Sequence, residues 1–330
     1  MNDSYYLYSS GSLKQKDKTI EFTSADGEKR SLPIENVRDI YIMSEMQMTT
    51  KLLELFGKYG INVHFFNYYQ YYVGSFCPKE SMLSGQLLVK QVGAYSDNQQ
   101  RIYIAQNIIK ASAKNIYRNL RYYNSRGKNC DAAMKEIQHL LKKIDSTTTI
   151  QELMGVEGNI RKNYYGCWNT IIDQNVDFQK RVYYPPDNMI NSLISFVNSL
   201  VYTKTLSEIY KTQLDPTISY LHEPGTRRFS LALDISEVFK PLVADRLIFS
   251  LLNRNQITHD SFSDSLNGLR LTPKASKTIV QAFDEKMKTT IKHKELNRDV
   301  SYQFLIRLEL YKLIKHLIGE KEYTGFEIWW

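Results

Sequence analysis

The sequence predicts an α+β protein: a small N-terminal β-rich domain over residues 1–90, followed by a larger all-α domain over residues 91–330. Three observations predict it. Short runs rich in Tyr, Ile, Phe and Val, broken by turn residues, fill the first ninety positions. From about residue 95, apolar residues recur at spacings of three and four. At 330 residues the chain has enough material for two cores.

The β-rich part reads in order. Tyr5 to Tyr8, Lys18 to Thr23 and Asp39 to Met43 have strand chemistry, and Asp26-Gly27 between two such runs is a hairpin turn. Thr50 to Tyr59 carries Leu52, Leu53, Leu55 and Phe56 and stops at Gly60, which predicts one short helix. Ile61 to Phe66 and Tyr71 to Phe76 return to strand, and Pro78 closes the block.

Helices follow. Asp97 to Tyr123 and Asp131 to Ile144 flank the Ser125-Arg126-Gly127 break. Thr149 to Ile172 places Leu153, Val156, Ile160, Tyr164 and Cys167 on one face. Asp187, after Pro185-Pro186, is the expected N-cap of a helix running to about Gln213. Asp215-Pro216 ends that helix, a loop carries His222, and Ser230 is the expected cap of the next one. Further helices are expected over Pro273 to Lys294 and Asp299 to Ile318.

The net charge of +8 is unevenly placed. Residues 1–90 hold ten bases and ten acids, so the helical part carries the whole excess, 33 bases against 25 acids. Such a surface attracts polyanions, chiefly nucleic acid. No apolar run reaches membrane-spanning length, and no charged segment followed by an apolar one opens the chain, so neither a membrane span nor a signal peptide is expected. The three cysteines share no close spacing, which suggests neither a disulfide framework nor a zinc site. A cytoplasmic location is expected. The sequence contains no P-loop, dinucleotide fingerprint or nucleophile elbow.

Three segments place acids or a histidine where a helical protein normally avoids them. In Leu231 to Phe239, Asp234 and Glu237 interrupt an apolar run; three apart, they share a helix face. Burying a lone carboxylate costs several kcal/mol unless its charge is compensated, by a divalent cation or by Arg227, Arg228 or Lys240. Glu157 lies between Gly155 and Gly158 inside a helical pattern, where each glycine costs about 0.5–1 kcal/mol relative to alanine. The glycines mark either a close approach or a helix end. His222 is either a ligand or a surface residue. The basic stretch Lys286, Lys288, Lys292, Lys294 and Arg298 reads as a phosphate-tracking face or a solvated helix. The aromatic run Phe65 to Tyr72 reads as base-stacking, sheet-packing or interface chemistry.

Taken in order, these segments resemble the CRISPR-associated endonuclease/integrase family, the larger subunit of the spacer-acquisition complex. The resemblance runs nearly end to end. It includes Lys18-Thr19-Ile20, Leu32-Pro33-Ile34-Glu35, Ile61 to Phe66, and Gly155-Val156-Glu157-Gly158 with Tyr164. It continues through Arg181, Pro185-Pro186-Asp187 with Asn191, Leu214-Asp215-Pro216, Leu221-His222, and Ser230 to Glu237 ending at Lys240-Pro241. Gln213 and Ser219 stand where the family usually has glycines.

The resemblance implies that Glu157, His222 and Glu237 hold Mn²⁺ or Mg²⁺, and that Asp234 supports them as a fourth catalytic residue. It implies a dimerising β domain, a helical catalytic domain and a homodimer that works with a small second subunit. The implied reaction is insertion of a short DNA fragment into a repeat array: a 3′-hydroxyl attacks a phosphodiester of double-stranded DNA. Two other readings remain open, a metal-dependent nuclease without joining activity and a non-catalytic nucleic-acid scaffold.

Overall fold

Asp26 and Gly27 reverse the chain with Gly27 at φ 84°, and the alternating residues on either side pair as antiparallel strands. In the computed structural model, which describes residues 3–67, 69–78, 84–183, 185–226, 228–265 and 268–329, contacts divide the chain into Met1–Leu83 and Ser84–Trp330. Arg227, and Tyr68 within the aromatic run Phe65 to Tyr72, lie outside the described residues.

The first unit holds β1 (Asp3–Leu7), β2 (Gly11–Lys16), β3 (Thr19–Ser24), β4 (Lys29–Pro33), β5 (Val37–Ile42), β6 (Met46–Met48), α1 (Thr50–Tyr59), β7 (Asn62–Phe66) and β8 (Tyr72–Phe76). They form two four-stranded sheets, ordered β1-β5-β7-β8 and β4-β3-β2-β6. The first is parallel except for β7 with β8; the second is antiparallel except for β2 with β6. Leu13, Ile20, Ile40, Leu52, Phe56 and Val63 belong to one buried cluster. Thr49 accepts the Leu52 N–H, and Gly60 ends α1 at φ 67°, a conformation glycine adopts without steric cost. Strands β2, β4 and β6 are additional to the runs read from periodicity. Their charged and polar residues, such as Lys14-Gln15-Lys16, hide the alternation.

The second unit begins with α2 (Gly85–Ser96), followed by α3 (Asn98–Asn124), α4 (Asp131–Ile144), α5 (Ile150–Gly166), α6 (Trp168–Ile171) and α7 (Met189–Ile209). Then come α8 (Ser230–Phe239), a π-helical stretch Pro241–Asp245, α9 (Arg246–Asn253), hairpin β9 (Phe262–Ser265) and β10 (Gly268–Leu271), α10 (Pro273–Lys288), hairpin β11 (Thr290–His293) and β12 (Arg298–Ser301), and α11 (Tyr302–Leu317). The two hairpins interrupt the otherwise helical texture. The expected helix to Lys294 ends at Lys288 because β11 pairs with β12. Within the basic stretch, Lys286 lies over the Tyr302 ring and Lys294 over Trp329. Among the described residues no helix is long and apolar enough to cross a membrane.

Two caps differ from expectation. Asn188, not Asp187, accepts the Asn191 N–H at the start of α7, while Asp187 accepts from the Asn188 and Asn191 side-chain amides. Ser230 does not cap α8; its hydroxyl donates to the Thr217 carbonyl at 2.6 Å, tying the helix start to the histidine loop.

Helix α8 runs into the π-helical stretch through Pro241, which has no N–H to donate. The Asp245 N–H reaches the Lys240 carbonyl five residues back, and two asparagines of α3 satisfy neighbouring carbonyls: Asn115 donates to Val238 at 3.0 Å and Asn119 to Pro241 at 2.7 Å. The C-terminal segment packs on the same asparagine, with Ile328 donating its N–H to Asn115. Gly325 lies so close to α3 that an added Cβ would stand 2.4 Å from the Ala111 Cβ. The helix carrying Asp234 and Glu237 is thereby fixed from α3 and from the tail.

Candidate active site

Asp234 is fully buried, yet its carboxylate is saturated with donors. Oδ2 accepts the backbone N–H groups of Tyr220 and Leu221 at 2.7 and 2.9 Å. Oδ1 accepts the N–H of His222 at 2.9 Å and faces its Nδ1 at 2.8 Å. One carboxylate on α8 therefore shapes the loop and aims the imidazole. Ser219, in place of a glycine, reinforces this by donating to the His222 carbonyl at 2.6 Å. His222 is half-buried, its side chain 23% exposed. An ionised carboxylate only accepts, so Nδ1 carries the proton and Nε2 is left for another partner. Burial opposes charge on His222, but Asp234 and Glu237 outweigh it and raise its pKa above the usual 6.5.

Glu157 sits in the interior of α5, so its flanking glycines do not mark a helix end. One turn later on the same face, Arg161 Nε donates to Glu157 Oε1 at 3.0 Å. The same guanidinium donates through Nη2 to Oε2 of Glu237, on α8. Lys240 Nζ takes the other oxygen of Glu237 at 2.5 Å, so the lysine named as an ion-pair alternative does pair, while Arg228 binds the Glu223 carbonyl instead. Burial alone would raise the Glu237 pKa, but Lys240 and Arg161 hold it well below the usual carboxylate range.

The structure thus joins Glu157 to Glu237 through Arg161, and His222 to Asp234. His222 and Glu237 are close enough to shift each other's protonation. Among the described residues no three His, Cys, Asp or Glu side chains already stand in a metal-sized cluster. The donor set nonetheless fits a divalent cation: two carboxylates, compensated by the Arg161 and Lys240 side chains, and an imidazole whose Nδ1 is fixed by a carboxylate.

A cavity of about 400 Å³ opens beside the pair, lined by Glu157, Arg161, Glu237 and Lys240 together with Lys162, Lys180 and Arg181. Arg181 is locked by Asn191, by Ser195 at 2.8 Å and by the Val182 carbonyl at 2.6 Å. Beneath the site, Asp245 is buried with Oδ2 lacking a hydrogen-bond partner among the described residues. Sequence reasoning did not single out Arg161, Lys162 or Asp245. The spacing of Arg161 from Glu157 was a usable signal, whereas the π-helical turn that brings Asp245 under the site was not.

Residues 5–285 match the family model described as CRISPR associated protein Cas1. The chain belongs to the Cas1 family. Over 330 residues it is 59% identical to a CRISPR-associated endonuclease Cas1 of Fusobacterium nucleatum subsp. nucleatum, covering 100% of this chain and 98% of that protein. It superposes on a CAS1 protein from Thermotoga maritima with a TM-score of 0.87 and 40% identity, covering 98% of this chain and 100% of the other. A casposase bound to integration product shares the fold at a TM-score of 0.86 and 20% identity, over 98% of this chain and 92% of that one. A β-rich unit followed by a largely helical one is thus a Cas1 fold, and relatives at 59% and 45% identity are described as CRISPR-associated endonucleases Cas1.

Proposed function

We propose that this Cas1 protein is a metal-dependent DNA integrase, inserting short DNA fragments into a repeat array by transesterification, with Glu157, His222 and Glu237 as ligands. The observation that carries the reading is the Asp234–His222 pair beside Glu237. A carboxylate that holds three consecutive backbone N–H groups of the loop also faces Nδ1 of the imidazole and leaves its Nε2 available, an arrangement typical of a metal-ligating histidine. When bound to these residues, Mn²⁺ or Mg²⁺ would supply Lewis-acid polarisation of the scissile phosphate.

The protein's own groups account for the rest. Lys162, Lys180 and Arg181 give the cavity the positive charge that draws in a phosphate backbone. Arg181, held on three sides, presents its charge without rearrangement, which suits electrostatic stabilisation of the phosphate as negative charge builds. Asp234 keeps the His222 proton on Nδ1 throughout. A DNA 3′-hydroxyl forms the new phosphodiester as the old one breaks, and the leaving oxygen takes the proton released by the nucleophile. One phosphodiester replaces another, so no nucleotide cofactor is required. The β-rich unit is assigned to dimerisation, and the small second subunit to bridging two dimers, on the family resemblance.

The test is strand transfer of a labelled short duplex into a supercoiled repeat plasmid with Mn²⁺. Joined product that disappears with chelator and with Glu157→Ala, His222→Ala or Glu237→Ala supports the reading. Cleavage without joining favours a nuclease, and DNA binding without either favours a scaffold.

A further inference from the structure

We propose that Arg161 is a resident counter-cation: it holds Glu157 and Glu237 together before a divalent ion arrives, competes with that ion, and moves to the DNA phosphate when displaced. The inference rests on the metal reading above and adds a coupling between metal and DNA that the ligand set alone does not imply.

The geometry is specific. A guanidinium offers donors in a rigid planar fork, and here Nε and Nη2 of one residue engage carboxylates from two different helices, α5 and α8. Among the described residues the Lys240 ammonium pairs with Glu237, three residues back on its own chain segment, and not with Glu157, so it neutralises one carboxylate without joining the two. Without Arg161, no hydrogen bond among the described residues links Glu157 to Glu237. With it, the pair is assembled but one oxygen of each carboxylate is taken by a side chain that is only 12% exposed. A divalent ion binding the same oxygens must expel that charge.

Arg161 has somewhere to go. It lines the cavity with Lys162, Lys180 and Arg181, the same basic wall that receives phosphate in the proposed reaction. A phosphate in the cavity competes with the carboxylates for the guanidinium and so frees them for the cation. By linkage, the metal must in turn raise affinity for DNA by the same factor. Arg161 in this account makes the metal site complete only when substrate is present.

The experiment titrates the full chain with Mn²⁺ by electron paramagnetic resonance, with and without a short duplex ending in 3′-dideoxy nucleotides. Arg161→Gln should bind Mn²⁺ about tenfold more tightly than wild type without DNA, by removal of a competitor worth one decade in the binding constant. The duplex should tighten Mn²⁺ binding to wild type but not to the variant. At saturating Mn²⁺ the variant should still join more slowly, because the phosphate has lost a contact. Equal or weaker Mn²⁺ binding by a folded Arg161→Gln overturns the proposal while leaving the metal reading intact. Failure of wild type to bind Mn²⁺ with or without DNA overturns both. Should Arg161→Gln not fold, Arg161→Met carries the same test, since it keeps an unbranched side chain of similar length and removes the competing charge.

Discussion

Asp234 and His222 are joined twice: the carboxylate accepts the backbone N–H of His222 at 2.9 Å and stands 2.8 Å from its ring Nδ1. A single oxygen therefore sets both the path of the loop and the orientation of the imidazole. Asp234→Asn preserves shape but puts a donor where acceptors are needed. We expect Mn²⁺ affinity to fall by about 10–100-fold, the range seen when partners that orient a metal-bound histidine are altered. Calorimetric titration checks this, and wild-type affinity in Asp234→Asn would remove the support assigned to the pair.

Glu237 and Glu157 should differ in what they contribute to stability. Glu237 is nearly buried and compensates both Arg161 and Lys240. Removing it strands Lys240 and leaves Arg161 with Glu157 alone, and Glu237→Ala should cost about 3 kcal/mol in urea unfolding. Glu157 is more exposed, and Arg161 keeps Glu237 when it is lost. Glu157→Ala should cost about 1 kcal/mol or less. Both variants should remain folded and lose joining activity. Equal destabilisation would mean that Arg161 does not bridge the two carboxylates in solution.

Burial raises the Asp245 carboxyl from 3.8 to about 7, against the lowering effect of Arg161 and Lys240. Between those values the folded chain holds a proton that the unfolded chain has released. The stability this group contributes is complete below about pH 4 and fades as pH rises through about 7. Asp245→Asn should remove that part of the slope, so melting temperatures of wild type and variant diverge as the medium goes from acidic to neutral. Parallel profiles would place the proton elsewhere.

Gly325 gives a test of the C-terminal segment as a structural support. An added Cβ would meet the Ala111 side chain at 2.4 Å and the Asn107 carbonyl oxygen at 2.8 Å. Gly325→Ala should therefore destabilise by about 1–3 kcal/mol through overpacking. The same segment stacks Phe326 on Phe239 of α8, with ring centroids 6.0 Å apart. Unchanged unfolding midpoints would mean that the tail does not hold this position against α3.

Much of this was legible in the sequence because the signals were local. Helix α1 with Gly60, the turn at Asp26-Gly27, and the buried acids of α8 announce themselves through propensity, positive φ and an interrupted apolar run. The strands β2 and β6 were hidden because polar residues on an exposed face blur alternation. The relation of Glu157 to Glu237 was hidden for a different reason: 80 residues of chain separate them, and only tertiary packing puts Arg161 between. Ser230 illustrates a local rule overruled by context, since its hydroxyl satisfies the Thr217 carbonyl rather than the helix start.

The most direct measurement is anomalous diffraction at the manganese edge from crystals grown with Mn²⁺ and a short duplex. The account predicts one strong peak bound by Glu157, His222 Nε2 and Glu237, with Asp234 still on His222 Nδ1. A peak on other residues, or none within reach of these three at saturating Mn²⁺, would contradict it.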